Sequence, residues 1–228
     1  MATKPSPVAM RSRASLWATA ILAFFGLMGL IRLLPSLLTA STGGVLVREA
    51  ALAGAALLLV LGLLWGAREP ASGLGLVRPK ASTLGFAVLG FALAMLISAG
   101  AAYVASRAGM DVGQSVLARL GTRPVWLLLL IALTAAISEE IVFRGVMLTR
   151  IEAASGSTWL AALVSLAAFA GAHAPRWGVA YVALAALPGL VLTLFYLWRR
   201  DLIACILTHF LIDAAGLLAL TSQVAQSR

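Results

Sequence analysis

Long apolar stretches separated by short polar segments make up most of the chain. Seven of them follow one another, at about residues 16–38, 45–65, 83–105, 124–148, 158–173, 178–198 and 202–221. Most approach or exceed the roughly 18 to 20 residues with which a helix crosses a bilayer. The six tryptophans give an independent check, because all of them fall at ends of these stretches, where amphipathic rings favour the headgroup layer. The pattern therefore predicts an all-α polytopic membrane bundle of about seven transmembrane helices, with eight as the upper count.

The same pattern divides the chain into a short amino-terminal segment, a membrane domain and a tail. Residues 1–15 carry Lys and Arg and are expected in the cytoplasm, residues 16–221 form a single transmembrane domain, and 222–228 form a short tail. Short loops that would share the side of the amino terminus hold modestly more Lys and Arg than those on the other side. This bias favours a cytoplasmic amino terminus.

Composition narrows the class of protein further. Hydrophobic residues make up 62% of the 228 residues and charged residues only 11%, whereas about 25% charged is typical of a soluble domain. The formal net charge of +9 is spread over short loops, so it indicates a lipid bilayer as partner and no nucleic acid. An excess of Ala, Leu, Gly and Arg with only two Lys is typical of bacterial proteins from genomes rich in G and C. We therefore expect the bacterial inner membrane.

Ionisable residues inside apolar spans are the informative positions, because a charge within the membrane is costly and usually marks a site or a pathway. Three short segments hold them. The fourth span contains Glu139-Glu140 and Arg144, the fifth ends with His173, and the seventh contains His209 and Asp213. Both histidines of the chain belong to this set.

Helical geometry assigns provisional roles in the fourth span. Glu139 and Glu140 differ by about 100° around a helix and so point in different directions. Glu140 precedes Arg144 by four residues, the favourable order for an ion pair along one helix, which leaves Glu139 free to face a cavity. A Glu–Arg pair of this kind is equally compatible with a purely structural polar clamp. A carboxylate that faces a protein cavity could accept a proton from water.

The other segments have their own alternatives. His209 and Asp213 are also four residues apart and share a helix face, so the carboxylate can orient the ring. His173 near a span end could be an ordinary interfacial residue. Cys205, one turn before His209, permits a Cys–His hydrolase, although helix packing is the better explanation. The Arg48-Glu49 pair lies near a span end, where its arginine is expected to snorkel toward water.

In order along the chain, these motifs are Glu139-Glu140-x-x-x-Arg144, Phe169-x-x-x-His173 and His209-x-x-x-Asp213. The arrangement resembles the CAAX-protease and bacteriocin-processing family of intramembrane proteases, also called the Rce1-like or type II CAAX prenyl endopeptidase family. The resemblance covers roughly residues 124–221, so the protease core is expected there. The first three spans resemble the family only as generic hydrophobic helices.

The resemblance implies an intramembrane endopeptidase that acts on a membrane-associated protein or peptide. Glu139 would activate the attacking water with His173, and His209 and Asp213 would bind the water or stabilise the developing oxyanion. Glu140 would complete the catalytic set, and Arg144 and Phe169 would support it. Prenylated substrates are not expected in a bacterium, where family members resemble processors of peptides, leader sequences or sorting signals.

Two questions stay open at this point. A divalent metal such as zinc could be held by Glu139, His173, His209 and Asp213, but no His-Glu-x-x-His helix occurs, and metal-independent chemistry is slightly favoured. The chain could instead be a proton-coupled carrier, although no repeated span pattern supports one, or a non-catalytic scaffold or immunity protein.

The predicted spans raise one geometric difficulty. Measured from the predicted cytoplasmic ends of their helices, Glu139 and His209 lie about 15 and 10 Å deep, but His173 lies about 22 Å deep. Straight vertical helices would not bring these three residues together. A tilted fifth span, or a segment 152–157 that dips into the protein interior, would resolve the mismatch.

Overall fold

A computed structural model of the chain describes residues 11–34, 36, 40–109, 120 and 122–226. Seven helices in it are long and apolar enough to cross a membrane, and no strand occurs among the described residues. The expected all-α membrane bundle of about seven helices is confirmed. Residues 1–10 of the amino-terminal segment lie outside the described residues, and the cytoplasmic position of that segment stays a prediction.

The seven spans follow one another along the chain. They are α1 (Arg13–Leu33), α2 (Thr42–Gly66), α3 (Ala81–Arg107), α4 (Val125–Ser155), α5 (Thr158–Trp177), α6 (Val179–Arg199) and α7 (Leu202–Gln226). A short 3₁₀ helix, Ala71–Leu74, lies between α2 and α3.

Polar side chains and glycines mark where several of these helices begin and end. Ser12, Ser41 and Ser157 precede α1, α2 and α5, and each side chain accepts a hydrogen bond from a first-turn backbone N–H. This satisfies donors that the helix leaves unpaired. Gly156, with φ of 73°, terminates α4 in the left-handed conformation that glycine adopts without strain.

Helix α4 is the central element of the bundle. Of its most apolar 18-residue window, 56% is buried, whereas the share is 39% or less in the other six spans. Its middle part, Ile141–Leu148, is a π-helix in which every residue is buried. Such wide turns inside α-helices are uncommon and frequently occur at functional sites. Here the π-helix follows directly after Glu139-Glu140 and contains Arg144.

The continuation of α4 corrects the predicted end of the fourth span at residue 148. The helix runs on to Ser155, and only Gly156 and Ser157 separate it from α5. Glu139 lies 16 residues before this turn and His173 lies 15 residues beyond Thr158, the first residue of α5. The two residues therefore lie at a similar depth in the bundle. The mismatch in depth disappears without a dip of residues 152–157 into the protein.

Helix α7 begins deeper in the bundle than the turn between α4 and α5. Its first residue, Leu202, donates its N–H to the carbonyl of Gly75, and its side chain lies 3.2 Å from where a Cβ on Gly145 would be. Gly145 precedes the end of α4 by ten residues. This starting level brings His209, two turns into α7, beside Glu140.

A partly buried polar network joins the helix ends on the side of the amino terminus. We call this side the amino-terminal face (residues 11–13, 67–80, 150–158 and 199–202). Arg150 in α4 bonds to Glu69 in the loop after α2, both with fully buried side chains, and Arg11 lies 3.6 Å from the same carboxylate. Arg200 makes two bonds to Glu152, of 2.6 and 2.8 Å. The second pair holds the start of α7 against the end of α4.

Arg150→Met should destabilise the protein strongly, because it removes the buried partner of the Glu69 carboxylate. Loss of one member of a buried ion pair costs about 3–5 kcal/mol. Thermal unfolding of the purified protein in detergent measures the effect, and Arg13→Met, an exposed arginine on the same face, should leave the melting temperature nearly unchanged. Equal melting temperatures for the two variants would contradict this account of the network.

Candidate functional site

A cavity of about 900 Å³ lies within the bundle and receives side chains from the helices that carry the three motifs. Glu139 from α4, His173 from α5, and His209 and Asp213 from α7 all line it. Its remaining wall is largely apolar, with residues of α1, α2 and α3 such as Met28, Leu52 and Met95. The structure thus brings together the acid and base groups that lie far apart in the sequence.

The two adjacent glutamates point in different directions, as helical geometry predicts. Glu139 is partly exposed to the cavity, whereas Glu140 is completely buried in the protein. The Oε2 atom of Glu139 is itself buried and has no hydrogen-bond partner among the described residues. A buried carboxylate oxygen requires a donor, and a water molecule in the cavity can supply one.

Glu140 connects two of the three motifs. Its Oε1 atom accepts a hydrogen bond of 2.6 Å from Nη1 of Arg144 and one of 2.8 Å from Nδ1 of His209. The predicted pair between Glu140 and Arg144 is therefore present, and the contact with His209 adds a link that the sequence did not reveal. Because Nδ1 donates to a carboxylate, the opposite ring nitrogen of His209, Nε2, is left for other partners.

Asp213 lies on the other side of the His209 ring. Its Oδ2 atom is 3.5 Å from Nε2 of His209, so the predicted pairing along α7 is present at ion-pair distance. The Asp213 side chain is 35% exposed, against 7% for His209. The imidazole is thus held between a buried carboxylate and one that reaches into the cavity.

His173 has its orientation fixed by its own helix. Its Nδ1 atom lies 2.9 Å from the carbonyl oxygen of Phe169. Because a carbonyl can only accept, Nδ1 carries the proton, and Nε2 of the neutral ring is an acceptor. On its cavity side the ring stacks on Tyr181, with centroids 6.1 Å apart, and Tyr181 stacks in turn on Trp177.

Phe169 contacts a residue from each of the three motifs. Its ring lies 5.0 Å from that of His173 and 5.8 Å from that of His209, centroid to centroid. The guanidinium carbon of Arg144 lies 4.4 Å from the ring centroid, a cation–π distance. The phenylalanine thereby separates the two imidazoles and covers the buried arginine.

Gly189 is a site-supporting residue that the sequence analysis missed. Its carbonyl accepts a hydrogen bond of 2.9 Å from Nη2 of Arg144, and a Cβ on it would lie 2.8 Å from two ring atoms of Phe169. The position therefore requires a residue without a side chain. The only signal in the sequence is a glycine inside an apolar helix, which is too common in membrane spans to single out this one.

The described donors do not match a metal-binding arrangement. No group of three or more His, Cys, Asp or Glu side chains in the described residues has the geometry to hold a metal ion. The Nδ1 atom of each histidine is bonded, to the Phe169 carbonyl and to Glu140, which leaves Nε2 of each ring as the nitrogen that a metal could take. The four candidate zinc ligands share a cavity without forming such a group, and a bound divalent metal stays a prediction.

Cys205 and Arg48 lie outside the set of acid and base groups, and both are buried. The Sγ atom of Cys205 lies 3.7 Å from the Leu192 carbonyl. This position between α6 and α7 agrees with the predicted role in helix packing. Arg48 does not snorkel toward water. It is 4% exposed and bonds to Glu49, which is 2% exposed, because a neighbouring carboxylate lets the guanidinium remain inside the protein.

Comparison with known families agrees with the geometry of the site. A family model described as type II CAAX prenyl endopeptidase Rce1-like matches residues 121–215. This segment of the chain is similar to the Rce1-like family. The match contains all three motifs, confirms the resemblance drawn from them, and supports a membrane protease. No curated protein and no solved structure matches the chain.

Gly189→Ala should disturb the site through Phe169, because the added methyl group cannot fit beside the ring. Overpacking of this kind costs typically about 1–3 kcal/mol, so we expect a lower melting temperature. Gly171→Ala is the matched control, since no atom lies within 4 Å of its added Cβ, and it should melt at or above the wild-type temperature. A stabilised Gly189→Ala protein would show that the close packing is absent.

Proposed function

We propose that the protein is an intramembrane endopeptidase that hydrolyses a peptide bond of a membrane-associated protein or peptide. The observation that carries the proposal is the position of the Glu139 carboxylate. It faces a cavity shared with both histidines, and its buried Oε2 atom has no hydrogen-bond partner among the residues that the structure describes. The Rce1-like match over the same residues supports a protease.

Glu139 acts as the general base. A water molecule donates one hydrogen to its unpartnered oxygen and is oriented by Nε2 of His173, which accepts the second hydrogen. The fixed tautomer of His173 supports this role, because the Phe169 carbonyl holds the proton on the other nitrogen. Two acceptors aim the lone pair of the water oxygen at the carbonyl carbon of the substrate.

His209 stabilises the charge that develops on the substrate. When its Nε2 atom carries a proton, it donates to the oxyanion of the tetrahedral intermediate, while Glu140 holds the ring from behind through Nδ1. A donor held in advance at the position of developing charge is among the strongest sources of rate enhancement. Asp213 lies at ion-pair distance from Nε2 and helps to hold this side of the ring in place before substrate binds.

The proposed hydrolysis needs no reactant besides the peptide bond and one water molecule. The water oxygen forms a bond to the carbonyl carbon as Glu139 takes the proton, and the bond between that carbon and the amide nitrogen then breaks. Glu139 returns the proton to the departing amine. The products are a new carboxyl terminus and a new amino terminus, and the enzyme is unchanged.

The substrate reaches this site as a segment with apolar side chains. The wall formed by α1, α2 and α3 is built largely from aliphatic and methionine side chains, which suit a peptide that enters from the membrane or its surface. This chemistry fits leader peptides and sorting signals of membrane-associated proteins. We further propose that the protein lies in a bacterial inner membrane.

Glu139→Gln should reduce cleavage at least about 10²-fold, because an amide cannot accept the proton of the attacking water. The measurement compares membrane peptides by mass spectrometry from cells that carry the wild-type protein or the variant at equal levels. A processed peptide that is present with wild type and lost with Glu139→Gln identifies the substrate and its cleavage site. His209→Ala should remove the same product.

Ser138→Ala is the matched control. Ser138 precedes Glu139 and lines the same cavity, but its hydroxyl bonds to the Thr134 carbonyl of its own helix. The variant should retain cleavage. Peptide profiles that are the same in wild type, Glu139→Gln and His209→Ala would overturn the proposed protease and leave a carrier or scaffold as the explanation of the motifs.

A further inference from the structure

A second, smaller cavity lies on the amino-terminal face, separate from the candidate catalytic residues. It has a volume of about 360 Å³ and lies where the loop before α3, the start of α3 and the end of α6 meet. We call it the basic groove and define it by its lining residues, which are Val77, Arg78, Lys80, Ser82, Thr83, Arg199 and Asp201. Neither its shape nor its charge is used by the proposed hydrolysis.

Three cations from two parts of the chain meet in the basic groove. Arg78 and Lys80 come from the loop before α3, and Arg199 comes from the last turn of α6. None of the three forms an ion pair with a carboxylate among the described residues, whereas Arg11, Arg150 and Arg200 on the same face all do. The groove thus concentrates positive charge that the protein itself does not neutralise.

The single carboxylate in the lining of the groove is occupied by other groups. Asp201 accepts a hydrogen bond of 2.9 Å from the Thr83 hydroxyl and one of 3.0 Å from the backbone N–H of Ala204. Its side chain is buried and fixes the start of α7. It therefore does not reach across the groove to the three cations, and the lining keeps a net positive charge.

The groove also offers neutral donors. Ser82 lies in the first turn of α3, a 27-residue helix with no acidic residue in that turn. The first N–H groups of a helix lack intrahelical partners and carry partial positive charge, which favours an anion. Together with the guanidinium and ammonium groups, these donors suit the several oxygens of a phosphate group.

Aromatic side chains beside the basic groove indicate its depth in the membrane. The guanidinium of Arg199 lies over the Phe86 ring, with 4.3 Å from its central carbon to the ring centroid, and Phe86 packs edge-to-face on Trp198. Trp198 is 65% exposed at the end of a span, where tryptophan lies at the level of lipid headgroups. A phosphate bound in the groove would therefore belong to a lipid of the surrounding leaflet.

We propose that the basic groove is a binding site for the phosphate headgroup of an anionic phospholipid. Arg78, Lys80 and Arg199 bind the phosphate oxygens, the Ser82 hydroxyl donates to them, and the acyl chains lie along the exposed apolar surface of α3 and α6. The lipid joins the loop before α3 to the end of α6, and so stabilises the folded protein. This proposal is independent of the protease activity.

The test titrates the purified full-length protein in neutral detergent with dihexanoyl phosphatidylglycerol and follows the melting temperature. Dihexanoyl phosphatidylcholine and inorganic phosphate are titrated in parallel. We expect a saturable rise in melting temperature with phosphatidylglycerol alone. Arg78→Gln/Arg199→Gln should raise the apparent Kd for this lipid at least about tenfold, because two of the three cations that bind the phosphate are removed.

Arg13→Gln/Arg68→Gln is the matched control. It removes two exposed positive charges from the same face but outside the groove, and its apparent Kd should stay within about twofold of wild type. Lys80→Gln changes one exposed residue of the groove, so it tests the proposal even if the double variant does not fold. It should also weaken binding of the lipid.

Three outcomes would overturn the proposal. An equal loss in both double variants would show diffuse attraction to the face. An unchanged Kd in Arg78→Gln/Arg199→Gln and in Lys80→Gln would place the lipid elsewhere. An equal rise with inorganic phosphate would show that the ligand is free phosphate and not a lipid.

Discussion

The burial of the Glu140 carboxylate in the centre of a membrane bundle is the constraint on which the rest of the structure depends. A lone charge there would cost several kcal/mol. Its Oε1 atom receives donors from Arg144 and His209, and Arg144 in turn donates to the Gly189 carbonyl. These bonds join α4, α6 and α7 at one depth. Phe169 of α5 then closes the arrangement by packing on Arg144 and on both imidazoles.

This arrangement leaves the neighbouring glutamate free. Because successive residues of a helix point about 100° apart, Glu140 can bond to Arg144 and His209 inside the protein while Glu139 faces the cavity. The proposed division of labour is that Glu140 positions His209 and Glu139 reacts with water. Structural and reactive carboxylates thus occupy adjacent positions, and the π-helix that follows them keeps Arg144 on the side of Glu140.

The sequence predicted the number and order of the spans, because uninterrupted apolar stretches have few alternatives in a bilayer. It also predicted the directions of Glu139 and Glu140 and the pairs within α4 and α7, all of which follow from helical periodicity. It could not predict the bond between Glu140 and His209, which are 69 residues apart, or the packing of Phe169 on Gly189. The end of the fourth span was misplaced because Arg150 and Glu152 read as a polar loop, whereas Glu69 and Arg200 pair with them and let the helix continue.

The most direct test of this division of labour is the thermal unfolding of Glu139→Gln and Glu140→Gln side by side in the same detergent. Glu140→Gln leaves the buried Arg144 without its counter-charge, so it should lose about 3–5 kcal/mol of stability. Glu139→Gln removes a charge whose buried Oε2 atom is unpaired within the described part of the chain, so it should melt at or above the wild-type temperature. A Glu139→Gln protein that unfolds as early as Glu140→Gln would contradict the account, because both glutamates would then be structural.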